Sequence, residues 1–566
     1  MSAQNQGWSK VEAVKSESRF LRGRIAEELG QDTSSFDENT ALVLKHHGIY
    51  QQDNRDLRGR KDISEEGRAW IMMVRVKIPG GRLTCQQWLG LSRFAELWGN
   101  HTLRITTRQD IQFHGVLKKN LAALIRGIQD IGLTTLGGCG DVVRNVISCP
   151  APIDDGGIRD QLYEDACRIS RHFLPRGGAY EEVWRGEVKS QVELGPAEQV
   201  EPIYGTNYLP RKFKIAFALP DDNCTDIYAD DLGFLGIVEN GNLVGYQVLV
   251  GGGLGVTPAD KSTFPALAQP VAFIRREELI PMAEAVIKLY RDHGNRSDRK
   301  RARIKYVLAD WGIEKFRAEL ARYYGQELVP PPPVVAHRVD THLGWHRQAD
   351  ERWFYGLYVE SGRVADTATA RMKTALEQIC ERLQPSIRLT ATWRLLICDV
   401  EAKNRSLVES ILRDHGVPLS EEISPLRHFS GACVALPTCG LAITESERAL
   451  PGILDQLEAE LARVGLTGMP ICVHMTGCPN GCGRPYNAEV GIVGRAKDRY
   501  AIYLGGSVVG HRLGFLYQNL VPRDQVATVL GQVLEVYARL RSDGESFGDF
   551  CARLGAEGLR AAIQTG

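Results

Sequence analysis

The chain has 566 residues, 43% hydrophobic and 24% charged, with Lys plus Arg and Asp plus Glu equal at 69 each. A chain of this length outgrows a single hydrophobic core, so two to four domains are expected. A slightly negative mean hydropathy without an apolar run of bilayer length argues against a membrane span, and zero net charge removes any global case for binding nucleic acid or anionic lipid.

The N-terminal MSAQNQGWSKVEAVKSESRF has no apolar core of a secretory signal and carries acidic residues that transit peptides avoid, so a cytoplasmic location is expected. Residues 1–69 read as a polar arm, with helical spacing over Lys10 to Glu28 followed by the charged, extended HHGIYQQDNRDLRGR. Trp70 to Ile78 predicts a strand that stops at Pro79-Gly80-Gly81. Thr84 to Leu97 predicts a helix, and Leu103 to Val116 a second strand. The run Val329-Pro330-Pro331-Pro332-Pro333-Val334 is a stiff linker. Beyond it the same unit recurs as Trp353 to Val359, the turn Ser361-Gly362-Arg363-Val364, a helix over Thr367 to Leu383 and a strand over Ile387 to Val400. Setting LRITTRQDIQFHGV (103–116) over IRLTATWRLLICDV (387–400) without a gap matches Arg104 with Arg388, Thr106 with Thr390 and Val116 with Val400. A duplicated, pseudo-twofold α+β chain follows, with a site between its halves.

Thirteen cysteines in a large chain expected to be cytoplasmic read as buried thiols plus one metal or catalytic set, not as disulfides. Spacing separates the two. GACVALPTCG carries Cys433 and Cys439, and TGCPNGCGRP carries Cys478 and Cys482, a C-x5-C and a C-x3-C pair. Four thiolates from two short segments suit a tetrahedral zinc or an iron–sulfur cubane. Zinc knuckles prefer closer pairs, and Pro479 with Gly481 leaves room for something bulky, so the spacing favours the cluster. Any one cysteine alone would be an ordinary buried thiol, the reading given to the other nine.

Along Leu103 to His114 the polar residues Arg104, Thr106, Arg108, Asp110, Gln112 and His114 alternate with mostly apolar ones, which places them on one strand face. Such a face is often merely solvated. Here it is echoed: Arg75 and Lys77 share a face, Lys212 and Lys214 share another, and Arg144 stands beside turn glycines. Cations on several strand ends suggest a pocket for anions. VGGGLG (250–255) lacks a complete nucleotide-loop pattern and reads as a tight turn. The basic run Arg296 to Lys305 has no interleaved aromatics and reads as a solvated or site-local face, not a nucleic-acid patch.

Taken together, HHGIYQQDNRDLR, VRVKIPGG, LRITTRQDIQFHGV, GDVVRNV, YLPRKFK, VGGGLG, GNRSDRK, ACVALPTC and TGCPNGCGRPYNAEVGIVG resemble, in this order and over nearly the full length, the siroheme nitrite and sulfite reductase family. The resemblance is closest to the haem-bearing subunit of assimilatory sulfite reductase and its ferredoxin-dependent relatives. It implies three α+β domains around duplicated ferredoxin-like halves: 70–136 with 338–411 as the duplicated domain, 137–337 as a first siroheme and substrate domain, and 412–566 as the domain of the cluster cysteines. It further implies a siroheme and a 4Fe-4S cluster, the latter held by Cys433, Cys439, Cys478 and Cys482, with Cys482 shared as axial thiolate. Arg104, Arg108, Gln112, His114, Arg211, Arg303 and Asn480 would line the carboxylate-rich macrocycle, Arg303 replacing a family lysine. Arg75, Arg144, Lys212 and Lys214 would form the distal, substrate-binding quartet.

The activity so implied is six-electron reduction of sulfite to sulfide, an oxidoreductase step of sulfate assimilation and cysteine biosynthesis. Reduction of nitrite to ammonia is the alternative, disfavoured because nitrite enzymes of the family tend to carry asparagine at the place of Lys214. A zinc-stabilised nucleic-acid-binding module is the reading from another class. No flavin or nicotinamide domain is found, so a partner must bring electrons, either an NADPH-dependent flavoprotein or ferredoxin. TLGGCGDVVRNV and WGIEKFRAELARYYG look nearer the ferredoxin-linked branch.

Overall fold

The computed structural model describes residues 7–60, 62, 67–186, 201–258 and 260–565; positions 1–6, 61 and 63–66 of the expected arm lie outside them. In chain order, the first group of strands is β1 (Ile49–Asp53), β2 (Trp70–Val76), β3 (Arg82–Leu83), β4 (Leu103–Ile105) and β5 (Ile111–Val116). A second group comprises β6 (Val143–Ile147), β7 (Phe213–Ala218), β8 (Leu232–Glu239), β9 (Asn242–Val250) and β10 (Gln269–Arg275). Past the prolines come β11 (Gly344–Arg347), β12 (Trp353–Leu357), β13 (Arg363–Val364), β14 (Ser386–Leu389) and β15 (Leu395–Val400). The last are β16 (Gly431–Ala432), β17 (Val473–Thr476), β18 (Val490–Ala496), β19 (Arg499–Leu504) and β20 (Phe515–Pro522).

Among the described residues these make four five-stranded sheets. Two are related as β1-β2-β5-β4-β13 and β11-β12-β15-β14-β3, so each half lends its two-residue strand to the other's sheet. The registers match: Val364 faces Leu103 and Arg363 faces Arg104, while Leu83 faces Ile387 and Arg82 faces Arg388. The other two sheets, β10-β9-β8-β7-β6 and β16-β17-β18-β19-β20, share a pattern as well. In each, the first two pairings in chain order are parallel and the next two antiparallel. Duplication therefore reaches all four sheets of this α+β molecule.

Three local expectations change. The segment read as an extended part of the arm contains β1, paired antiparallel with β2 along its whole length. The helix expected over Lys10 to Glu28 is two, Lys10–Glu17 and Ile25–Leu29, parted by Arg19, Phe20 and Leu21 at positive φ. Each strand expected over 103–116 and 387–400 is a hairpin. Thr106 closes the first turn by accepting at Oγ1 from the Arg108 amide (3.0 Å) and donating its own amide to Asp110 O (3.0 Å), with Gln109 at φ +54°. Thr390 repeats it, accepting from the Arg394 amide (2.8 Å), with Trp393 at φ +66°. A threonine side chain offering the backbone a local partner broke both strands at the same offset, a competition that period-two counting does not register.

One apolar cluster runs from Val14 to Leu419 through both ferredoxin-like halves, and a second from Leu426 to Leu559 fills the last domain.

Candidate active site

Cys433 lies one residue past β16 and Cys478 two past β17, at the carboxyl ends of adjacent parallel strands, where open α/β sheets place their ligands. The Gly477 amide donates to Cys433 Sγ at 3.4 Å. Cys482 is exposed, Cys433 and Cys439 half-buried and Cys478 buried. Burial, and next the charge of Cys482, pushes the Cys433 thiol up to about 12; Cys439 and Cys478 are raised by the same two causes. Three thiols that resist ionisation through burial and a neighbouring thiolate gain from a shared cationic centre.

Glycines let the surrounding backbone segments pack closely around the cysteines. A Cβ on Gly477 would stand 2.5 Å from Thr444 O, and one on Gly483 2.7 Å from Met475 O. A tetrahedral zinc with bonds of about 2.3 Å needs its sulfurs under about 4 Å apart. Among the described residues the group of ligand atoms lying mutually within 4.8 Å is a different one, so the quartet spans more than a zinc site and fits a cubane.

The cations converge on the same place. Cys482 electrostatically favours the charged forms of both Arg75 and Lys212. Arg75, on β2, keeps its charge against burial because Cys139, Asp110, Tyr50 and Cys482 outweigh it. Its nearest carboxylate, Asp110, is 3.9 Å away. Gln112, with its amide turned to satisfy both groups, accepts from Arg75 Nη2 at 2.5 Å. Lys212 is held well below an ordinary lysine, first by burial and then by Arg303, while Cys482 pulls the other way. Burial lowers Lys214 too; Asp230, 3.6 Å from its Nζ, opposes this and Arg108 and Arg303 reinforce it. Among the described residues the side chains of Arg211 and Lys212 have neither hydrogen-bond nor ion-pair partner. Cations left unneutralised inside a fold call for an anion from outside.

Other residues singled out from the sequence are engaged by the protein. Arg104 reaches Ala432 O at 2.7 Å and Glu447 at 3.2 Å, fixing the strand that leads into Cys433. Arg108 ion-pairs with Asp230 and donates to Asn145 O (2.5 Å) and Ile215 O (2.7 Å). Arg144 donates to Gly140 O at 2.8 Å, and His114 Nδ1 lies 3.1 Å from Arg363. Arg303 grips Asp231 with two bonds of 2.7 and 2.8 Å. Asn480 is exposed at the tip of the cysteine loop, where the Val256 amide donates to Pro479 O at 3.0 Å, so the VGGGLG turn is packed on the cluster loop. The basic run is absorbed internally: Arg299 pairs with Asp141, Arg301 with Asp310 and Arg303 with Asp231.

Sequence reading missed the acidic and bracing residues. Asp230 and Asp231 both act on Lys214, the latter accepting from its amide at 2.8 Å. Lys305 holds the glycine turn through Gly253 O and Gly255 O, both at 2.9 Å. Asp110 has no hydrogen bond to either carboxylate oxygen, and burial pushes it up to about 7 despite Arg75, Arg108 and Arg144. The available signal was the pair Asp230-Asp231 opening a strand whose interior is otherwise apolar.

A thiol quartet at the carboxyl ends of parallel strands, electrostatically linked to buried cations, defines a redox metalloprotein. The "Nitrite and sulphite reductase 4Fe-4S domain" family matches residues 139–328 and 433–565, and the "Nitrite/Sulfite reductase ferredoxin-like half domain" matches 69–131. Proteins named sulfite reductase (NADPH) hemoprotein beta-component are similar: that of Myxococcus xanthus is 44% identical, covering 98% of both chains, and that of Anoxybacillus flavithermus 41%, covering 97% of this chain and 95% of its own. The solved structure of the Mycobacterium tuberculosis NirA protein superposes with a TM-score of 0.79 at 25% identity, covering 99% of this chain and 98% of that one. The chain belongs to the nitrite and sulphite reductase family.

Proposed function

We propose that this protein is the haem-bearing catalytic component of a sulfite reductase, taking sulfite to sulfide with electrons from a partner. The observation that carries it is the electrostatic link between the cysteine set and the cations: Cys482 favours the charged forms of Arg75 and Lys212, and Lys212 has no hydrogen-bond or ion-pair partner among the described residues. Cys433, Cys439, Cys478 and Cys482 would hold the 4Fe-4S cluster, and Arg211 with the exposed Asn480 would meet the carboxylates of siroheme. When bound, siroheme and its cluster supply single electrons and a coordination position for the substrate's sulfur.

The protein's own part is electrostatic. Arg75, Arg144, Lys212 and Lys214 attract the oxyanion and offset charge on its oxygens as S–O bonds lengthen. Arg144, braced on Gly140 O, and Arg75, braced on Gln112, orient it. Lys214, lowered by burial and held by Asp230, gives its Nζ proton to a departing oxygen.

Sulfite is preferred over nitrite because a second lysine, Lys214, suits a substrate that sheds three oxygens as water. The names of the relatives support an NADPH-dependent flavoprotein as donor over the ferredoxin branch suggested by two sequence segments. Iron and acid-labile sulfide analysis with an absorption spectrum, followed by sulfide release under a chemical reductant, tests the assignment; zinc in the quartet with no haem bands would overturn it. Lys214→Asn is expected to depress sulfite turnover more than nitrite turnover, and equal losses would remove the substrate preference.

A further inference from the structure

Away from the cysteine quartet, four buried side chains meet: Cys149, Asp222, Cys224 and His342, one ligand atom of each lying within 4.8 Å of all the others. Cys149 Sγ is 3.0 Å from Asp222 Oδ2 and 3.5 Å from His342 Nε2, and the latter two are 3.1 Å apart. All four are at most 2% exposed. These separations are close to the edges of a tetrahedron around a zinc ion, with bonds of about 2.0–2.3 Å.

We propose that Cys149, Cys224, His342 and Asp222 form a second metal site, a structural zinc centre of two thiolates, one imidazole and one carboxylate. Three independent features point there. The first is charge: two thiolates and Asp222 against a divalent cation leave one negative charge, which Arg159, 3.5 Å from Asp222 Oδ2 and shared with Asp155 at 2.7 Å, partly offsets. The second is the outer shell. Asp222 Oδ1 is steadied by the Cys224 amide at 3.1 Å, and the free ring nitrogen of His342, buried without a hydrogen-bond partner, lies 3.7 Å from Asp340, placed to orient the imidazole as metal-bound histidines require.

The third feature is topological. Cys149 follows β6 and Cys224 follows β7, the adjacent parallel strands equivalent to β16 and β17. Cys433 and Cys478 leave those later strands at the same carboxyl edge. Both copies thus carry a thiol pair in the segments that follow these strands, Cys149 two residues past β6 and Cys224 six past β7: the later pair belongs to the redox centre, the earlier pair to a compact closed site. A cavity lined by Cys224, Val339, Thr341, His474 and Arg484 provides an approach for the ion.

Such a site would staple the strands bearing Arg144, Lys212 and Lys214 to the segment after the polyproline linker, because His342 comes from that segment. Binding displaces the two thiol protons to solvent and involves no change of oxidation state.

The test is metal analysis and zinc-edge X-ray absorption on full-length holo-protein from zinc-replete cells. About one zinc per chain is expected, with two sulfur neighbours at about 2.3 Å and nitrogen or oxygen neighbours at about 2.0–2.1 Å. The double variant Cys149→Ser/Cys224→Ser should lose zinc at least tenfold while iron and labile sulfide per chain stay unchanged; retained zinc would overturn the proposal. Should the variant not fold, the wild-type spectrum decides alone. Zinc with no sulfur neighbour refutes the site. So does wild-type protein that is zinc-free, takes up no added zinc ion, and yields Cys149 and Cys224 as free thiols or as a disulfide on alkylation mapping.

Discussion

Lys214 shows how much a single residue's surroundings decide. An exposed lysine stays charged to about pH 10.4, but burial, with Arg108 and Arg303 close by, lowers Lys214 below that in spite of Asp230. As the proposed proton donor it must be charged, so activity is expected to be lost as pH rises through the lowered value, earlier than for a free lysine. Lys214→Arg keeps the charge and stops the titration. Its expected outcome is an alkaline limb of the sulfite kcat/KM profile displaced to higher pH, with a lower maximum. Cys482→Ser tests the other side of the site: iron, labile sulfide and haem absorption per chain should all fall, since its thiolate is the exposed member of the quartet. Loss of turnover with all three unchanged would assign Cys482 some other role. The cysteines and the cationic residues were legible because their chemistry is carried by residue type and spacing. Asp230 and Asp231 were not, and Asp110 was placed on the polar strand face without a role, because a carboxylate matters here only through what surrounds it.

At the level of elements, the exchanged short strands depend on two glycine turns. Gly81 at φ +71° and Gly362 at φ +79° occupy equivalent places, and a Cβ on either would stand 2.4 Å from a backbone oxygen, Leu389 O for the first and Ile105 O for the second. Those two oxygens are themselves related by the duplication. Gly362→Ala should cost roughly 1–3 kcal/mol from the positive φ alone, with more from the clash, and thermal unfolding of the variant will read it. A change within a few tenths of a kcal/mol would mean that the turn relaxes freely. The ungapped match of 103–116 with 387–400 disclosed the repeat but cast each segment as one strand. Alternation continues unbroken through a tight turn, so only the hydrogen bonds of Thr106 and Thr390 reveal the hairpins.

For the whole molecule, the two ferredoxin-like halves share one apolar cluster and exchange strands, so neither can close its sheet alone. Residues 1–330 expressed by themselves should fail to give a soluble, cooperatively unfolding monomer, whereas the full chain should lose both halves in one transition. A stable, folded fragment would show that the exchanged strands are dispensable. No helix among the described residues is long and apolar enough to cross a membrane, in keeping with the balanced composition. By itself the sequence determined the kind of chemistry, through four cysteines at cluster spacing and cations on strand ends, and it determined the duplication, because both are written in local pattern. Tertiary structure decided which cations are consumed by the protein's own carboxylates and carbonyls, as Arg104, Arg108 and Arg303 are, and which remain for a ligand, as Arg211 and Lys212 do. It also decided that Cys149, Asp222, Cys224 and His342 meet at all. Electrostatic balance and metal geometry depend on distances between groups far apart in the chain, and those distances exist only once the sheets have packed.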